Sequence, residues 1–171
     1  MLSFLFNSSA SLSPTSTPNS TLALLRHPEQ AAIVHQHGLN SQAIDELLRY
    51  DGPVQHTVRI PLKPVQYEVL GNTFTIEPGT VVLTSLGAAN HDPAVFDAPH
   101  ELRLDRPNSH RHMAFASGIH YCLGSALAKL ETEVAVGSLF QRFPNMEIVG
   151  SPSWRDRLTI RGVNQLQLSL S

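Results

Sequence analysis

Phe115-Ala116-Ser117-Gly118-Ile119-His120-Tyr121-Cys122-Leu123-Gly124 is the stretch on which the reading of this 171-residue chain turns, because it holds the single cysteine. Downstream, Leu123, Leu127, Leu130 and Val134 recur at the spacing of one buried helical face, with Lys129, Glu131 and Glu133 directed elsewhere, and Pro144 ends the run. Cys122 therefore stands where an irregular loop enters a helix. Unpaired N–H groups and the positive end of the helix dipole at such a place favour the thiolate, the form that binds metal. Gly118 can adopt backbone conformations closed to bulkier residues, and Gly124 leaves room for a flat group beside the helix. By residue type alone three readings stand open. Cys122 is a small buried hydrophobe, or it joins His110, His112 and His120 in a zinc site, or it is a nucleophile paired with histidine. The histidine spacing fits no common zinc finger, and no third group is apparent that would orient a Cys-His pair.

Upstream, Leu22, Leu25, Ile33 and Val34 suit two short helices between Thr21 and His37, divided near Pro28. Asn40 or Ser41 caps a helix that carries Ile44, Leu47 and Leu48 on one face and stops at Asp51-Gly52-Pro53. Four β-branched runs follow, 57–60, 67–70, 73–76 and 81–84, broken by Gly71-Asn72 and Glu77-Pro78-Gly79, and they predict a small antiparallel sheet. Leu86 to Asn90 suits a helical turn, and His91 to Tyr121 is a long irregular stretch of the kind that carries function. Two strands, 158–161 and 166–170, are expected at the end around Gly162. The fold class is mainly α with small antiparallel β-sheets, an α+β arrangement.

Residues 1–20 carry no charge and are dense in Ser, Thr, Pro and Asn, so they read as a disordered leader, with one domain over 21–171. A net charge of -2 and a pI near 6.5 argue against nucleic acid or an anionic membrane as partner. No apolar run is long enough to span a bilayer. One cysteine forms no internal disulfide, which suits a reducing compartment, and a cytoplasmic protein is expected.

Phe115, Gly118, His120, Cys122 and Gly124 stand at the spacing of the cysteine signature of the cytochrome P-450 family, which the chain resembles from Thr21 to about Leu170. One departure is Ala116, where the family has glycine or a small polar residue. Glu46-Leu47-Leu48-Arg49 resembles the family's Glu-x-x-Arg helix, and an i,i+3 spacing brings both charges to one face as a structural ion pair. The resemblance implies haem b (iron protoporphyrin IX) as cofactor, Cys122 as ligand to the iron, and Arg59, His112 and His120 as partners of the haem propionates, for which charge-assisted bonds to carboxylates are the physical reason. It implies a second arginine for the ion pair from the region Pro99-His100-Glu101-Leu102-Arg103, where Glu101 stands at the arginine's usual place and His100 or Arg103 is left as the substitute.

By the same resemblance the chain is the C-terminal, haem-binding part of a bacterial soluble-type member. The N-terminal half, with the oxygen-activating helix and most of the substrate pocket, is expected to be absent, leaving apolar surface exposed. Two functions follow. The first is haem-thiolate monooxygenase chemistry on a small organic substrate, served by a ferredoxin or a flavoprotein reductase that docks at Arg103, Arg106, Arg111 and Lys129. The second is a truncated, non-catalytic haem-binding remnant or a fragment that folds with a partner. A zinc-binding module is the third.

Overall fold

A computed structural model describes residues 2–7 and 13–170, in which five α-helices are combined with small antiparallel sheets, the α+β class expected. Helix α1 spans Ser13–Leu25, α2 Pro28–His37 and α3 Ser41–Asp51. Pro28 opens α2, where a missing N–H costs nothing, so it divides the two helices as expected. Asn40 is the cap of α3: its side chain accepts the Ala43 N–H at 2.8 Å. Ile44, Leu47 and Leu48 turn inward from α3 and are buried.

The middle of the chain holds two separate ladders in place of one sheet. Strand β2 (His56–Arg59) pairs with β5 (Val82–Ser85), and β3 (Val65–Val69) pairs with β4 (Asn72–Ile76). Leu70 and Gly71 both take positive φ, 49° and 78°, the geometry of a tight two-residue hairpin turn, and this closes β3 on β4 without recruiting β2 or β5. Helix α4 (Leu86–Ala89) follows, then loops with single 3-10 turns, and then α5 (Ser125–Arg142). The last sheet joins β6 (Glu147–Ile148), β7 (Ser153–Trp154) and β8 (Val163–Leu170) to β1 (Leu2–Asn7). No strand forms over 158–161, where Ile160 makes only an isolated bridge with Val54.

The reading of residues 1–20 as a disordered leader is corrected within the described residues: Leu2–Asn7 pairs along its length with β8, and α1 begins at Ser13. The composition concealed the first half of a buried helix, in which the polar side chains Ser16 and Asn19 have partners. Ser16 Oγ lies 3.2 Å from Thr132 Oγ1 on α5. The Asn19 amide donates to the Asp51 and Arg161 carbonyls, each at 3.2 Å, and its oxygen accepts the Val163 N–H at 3.0 Å. Buried polar groups with partners cost little, so low hydropathy did not preclude burial. Residues 8–12 of that stretch lie outside the described residues.

The core lies among α1, α3, α5 and β8, with Leu22, Leu24, Leu47, Val136, Phe140, Leu166 and Leu168 at its centre. From α5 the inward stripe is Thr132, Val136 and Phe140. The stripe expected to be buried is the outer one, with Leu123 101% and Leu130 54% exposed and Leu127 and Val134 likewise open. Periodicity located the helix and an apolar face, but the covering elements α1 and α2 meet its other side.

Candidate functional site

The cysteine loop is shaped by its own backbone bonds. The Ala116 N–H donates to the Met113 carbonyl at 2.8 Å, the Tyr121 N–H to Gly118 at 3.0 Å, and the Cys122 N–H to the Phe115 carbonyl at 3.0 Å. Ala116 and Gly118 are left-handed, with φ of 58° and 66°. At Gly118 this needs no side-chain accommodation, but at Ala116 the Cβ crowds the following carbonyl, at a cost of roughly 1–2 kcal/mol. The departure from the signature is thus a strained residue in an otherwise complete loop. Ala116→Gly is expected to stabilise the chain by about 1 kcal/mol, read as a higher urea midpoint at unchanged slope. A lower midpoint would mean that the methyl contributes packing worth more than the strain.

Cys122 is exposed at the mouth of a cavity of ≈ 380 Å³. Phe115, Ala116 and His120 line it from the loop, Gly124, Leu127 and Ala128 from the start of α5. Leu48, Leu86, Val54 and Ser16 close it from α3, α4, the segment before β2 and α1. A Cβ on Gly124 would meet only the Cys122 sulfur, at 4.0 Å, so the helix start is open beside the thiol. A single sulfur on largely aliphatic walls suits a flat, apolar group with one metal ligand from the protein. A second cavity of ≈ 400 Å³, lined by Arg26, His27, Tyr50, Asp51, His91 and Arg161 among others, is polar and has no thiol. There burial pushes the Asp51 carboxyl up, against the pull of Arg161 2.8 Å away.

Of the residues singled out from sequence, the cavity brings together Phe115, His120, Cys122 and Gly124. Gly118 shapes the loop without lining the cavity. Arg59 is half-buried on β2 and donates to its neighbour's carbonyl, Val58, at 2.8 Å. His112 is turned away from the cavity: its Nδ1 accepts the Ala114 N–H at 3.1 Å and its Nε2 lies 3.3 Å from Asp45 Oδ1. With Nδ1 accepting, the hydrogen sits on Nε2 and is committed to Asp45. The zinc reading fails for the same reason, and among the described residues no three His, Cys, Asp or Glu side chains gather as a metal would require.

Glu46 and Arg49 form the ion pair at 2.7 Å, both fully buried. The second arginine is neither His100 nor Arg103 but Arg106, whose Nε lies 3.0 Å from each Glu46 oxygen. Arg103 contributes its backbone N–H to Glu46 at 3.0 Å and turns its side chain toward Asp97, while His100 stacks on His91. Glu101 serves through its carbonyl, which accepts from both Arg49 and Arg106 at 3.0 Å. Sequence reasoning missed Arg106. The burial of Arg106 also removes it from the expected basic docking surface, and Lys129 is bound to Asp45 at 2.6 Å, so Arg111 and the half-buried Arg103 are what remain.

The family model for cytochrome P-450 matches residues 26–152. Cytochrome P-450 140 of Mycobacterium tuberculosis is 44% identical over 153 residues, which are 89% of this chain and 34% of that protein. Cytochrome P-450 107B1 of Saccharopolyspora erythraea is 39% identical over 86% of this chain and 36% of its own length. The crystal structure of ligand-free CYP164A2 from Mycobacterium smegmatis superposes with a TM-score of 0.82 at 36% identity, over 92% of this chain and 39% of that one. The chain thus spans a little over a third of the length of the relatives it matches. Among the described residues no helix is long and apolar enough to cross a membrane.

Proposed function

The chain belongs to the cytochrome P-450 family, whose members bind haem b, and from that premise we propose that it holds haem through the Cys122 thiolate, as the proximal part of a monooxygenase acting on a small organic substrate. The observation that carries this reading is the Cys122 thiol at the mouth of an aliphatic cavity where the loop enters α5. Bound there, haem with a thiolate ligand supplies oxygen activation, since the sulfur pushes electron density toward the iron and favours O–O cleavage.

The residues of the chain do the holding. The Cys122 N–H, tied to the Phe115 carbonyl, fixes the main chain from which the sulfur projects. Leu48, Leu127 and Ala128 would present apolar surface to the macrocycle, and Gly124 would let a planar group approach the helix start. His120 lines the same cavity and offers a ring N–H to a propionate. Arg59, on β2 two residues beyond the cavity-lining Thr57, is a proposed second propionate partner. Electrons come from a ferredoxin or flavoprotein reductase, which meets the loop face at Arg111 and Arg103. The single cysteine suits a cytoplasmic setting.

Addition of haem, reduction and exposure to carbon monoxide test the reading. The chain is expected to give the red-shifted absorption band of a thiolate-ligated ferrous complex, and Cys122→Ser is expected to abolish it. No such band from the unaltered chain overturns the proposal. A second reading, haem binding without turnover unless a further polypeptide covers the chain, is favoured by the open outer stripe of α5 around Leu130 and Val134. A thiolate band combined with no oxygen-dependent product from any supplied reductase would select it.

A further inference from the structure

Asp45 precedes Glu46 on α3, and its carboxylate gathers partners from both sides of the cysteine. Lys129 Nζ lies 2.6 Å and His112 Nε2 3.3 Å from Asp45 Oδ1, and the acid side chain is 7% exposed. His112 belongs to the strand of chain that leads into the loop, and Lys129 to the second turn of α5, which leads out of it. Both partners also press on one ring: Lys129 Nζ stands 6.0 Å and the His112 ring 5.6 Å from the Phe115 centroid. Phe115 is the residue whose carbonyl holds the Cys122 N–H at 3.0 Å. Burial acts to raise the Asp45 carboxyl, but the hydrogen bonds from His112 and Lys129 outweigh it and keep the group below the ordinary carboxylate range. The carboxylate is therefore charged where it clamps the two segments.

We infer that Asp45 is a positioning residue for the cysteine loop, holding Phe115 in place through His112 and Lys129 and thereby fixing the main chain of Cys122. The inference rests on the reading of Cys122 as the functional thiolate, yet its main consequence is visible without haem. Loss of the clamp frees Phe115, lengthens the bond from Cys122, and leaves the remote half of α5 as it was.

Amide hydrogen exchange of the full chain, followed residue by residue by NMR, tests this. In Asp45→Asn the Cys122 amide is expected to exchange roughly tenfold faster relative to the Phe140 amide than in the unaltered chain, the change a charged hydrogen bond's loss would give. Lys129→Arg, which keeps the cation, is expected to leave that ratio unchanged. Val34→Ala, a core truncation remote from the loop, is the control for general loosening and is expected to raise both amides together. An Asp45→Asn chain whose Cys122-to-Phe140 ratio matches that of Val34→Ala overturns the inference. Should Asp45→Asn not fold, Lys129→Met carries the comparison with an expected rise of about threefold, since His112 remains bonded, and an unchanged ratio there overturns it equally. With haem and carbon monoxide added, the thiolate band of Asp45→Asn is expected to decay faster than that of Val34→Ala. Absence of the band from the unaltered chain would overturn the haem reading, and the exchange ratio would still decide the role of Asp45.

Discussion

Glu46→Ala is expected to unfold the chain or bring it to the edge of unfolding. The Glu46 carboxylate is fully buried and accepts from Arg49 Nε at 2.7 Å, from a second Arg49 nitrogen at 2.9 Å, and from Arg106 Nε at 3.0 Å. The other guanidinium N–H groups are directed at carbonyls of the segment 90–101: Arg49 at Asn90, Pro99 and Glu101, Arg106 at Asp97, Ala98 and Glu101. One acid thus compensates two buried cations that fasten a loop without regular structure onto α3. Its removal leaves both guanidinium groups in the interior without a counter-charge, which costs about 3–5 kcal/mol for a single broken buried pair. Against a total stability of about 5–15 kcal/mol for a domain, that loss is decisive. Urea unfolding followed by circular dichroism measures it, and a midpoint within error of the unaltered chain would refute the account of the network.

The second large effect contrasts two residues on α5. Phe140→Ala is expected to cost about 3–5 kcal/mol, because the ring is 1% exposed and packs against His35 at a centroid distance of 5.4 Å. Leu130→Ala, ten residues earlier on the same helix, is expected to change stability by no more than about 0.5 kcal/mol, since that side chain is largely open. Equal costs at the two positions would mean that the outer stripe is covered in solution. The same urea series distinguishes the outcomes, and repeating it at several protein concentrations shows whether any cover is a second copy.

What could be read from sequence divides along physical lines. The cysteine loop was legible because its requirements are local: glycine where φ is positive, cysteine at a helix start, a fixed number of residues between them. Helix α3 was legible for a similar reason, with Asn40 as a cap and Ile44, Leu47 and Leu48 one helical face apart. Arg106 was not, because its bond to Glu46 spans 60 residues and a guanidinium leaves no periodic trace. The only signal was chemical: a buried carboxylate has room for more donors than Arg49 supplies. The inward face of α5 was inverted because both stripes repeat at helical spacing, and only the positions of α1 and α2 decide which is covered. The first half of α1, ahead of Thr21, escaped notice since its buried side chains are Ser, Thr and Asn, with the partner of Ser16 on α5 and one of those of Asn19 on β8. The propionate roles of His112 and Arg59 came from the family resemblance alone; His112 is bonded to Asp45 and to the Ala114 N–H, while Arg59 bonds only its neighbour's carbonyl and keeps its proposed role.

The pairing of β1 with β8 matches Leu2 to Leu170 and Asn7 to Gln165, so one strand of the ladder waits for another made far later in the chain. No shorter loop can substitute, and the entropy of closing it must be met before the ladder returns anything. Until β8 has been made, Leu-Ser-Phe-Leu-Phe-Asn is an apolar strand without its neighbour, the kind of edge that pairs with other chains. Yield of correctly folded protein is therefore governed at this sheet by the interval between the synthesis of β1 and that of β8, and slowing translation between them lengthens the time in which nascent chains can find one another.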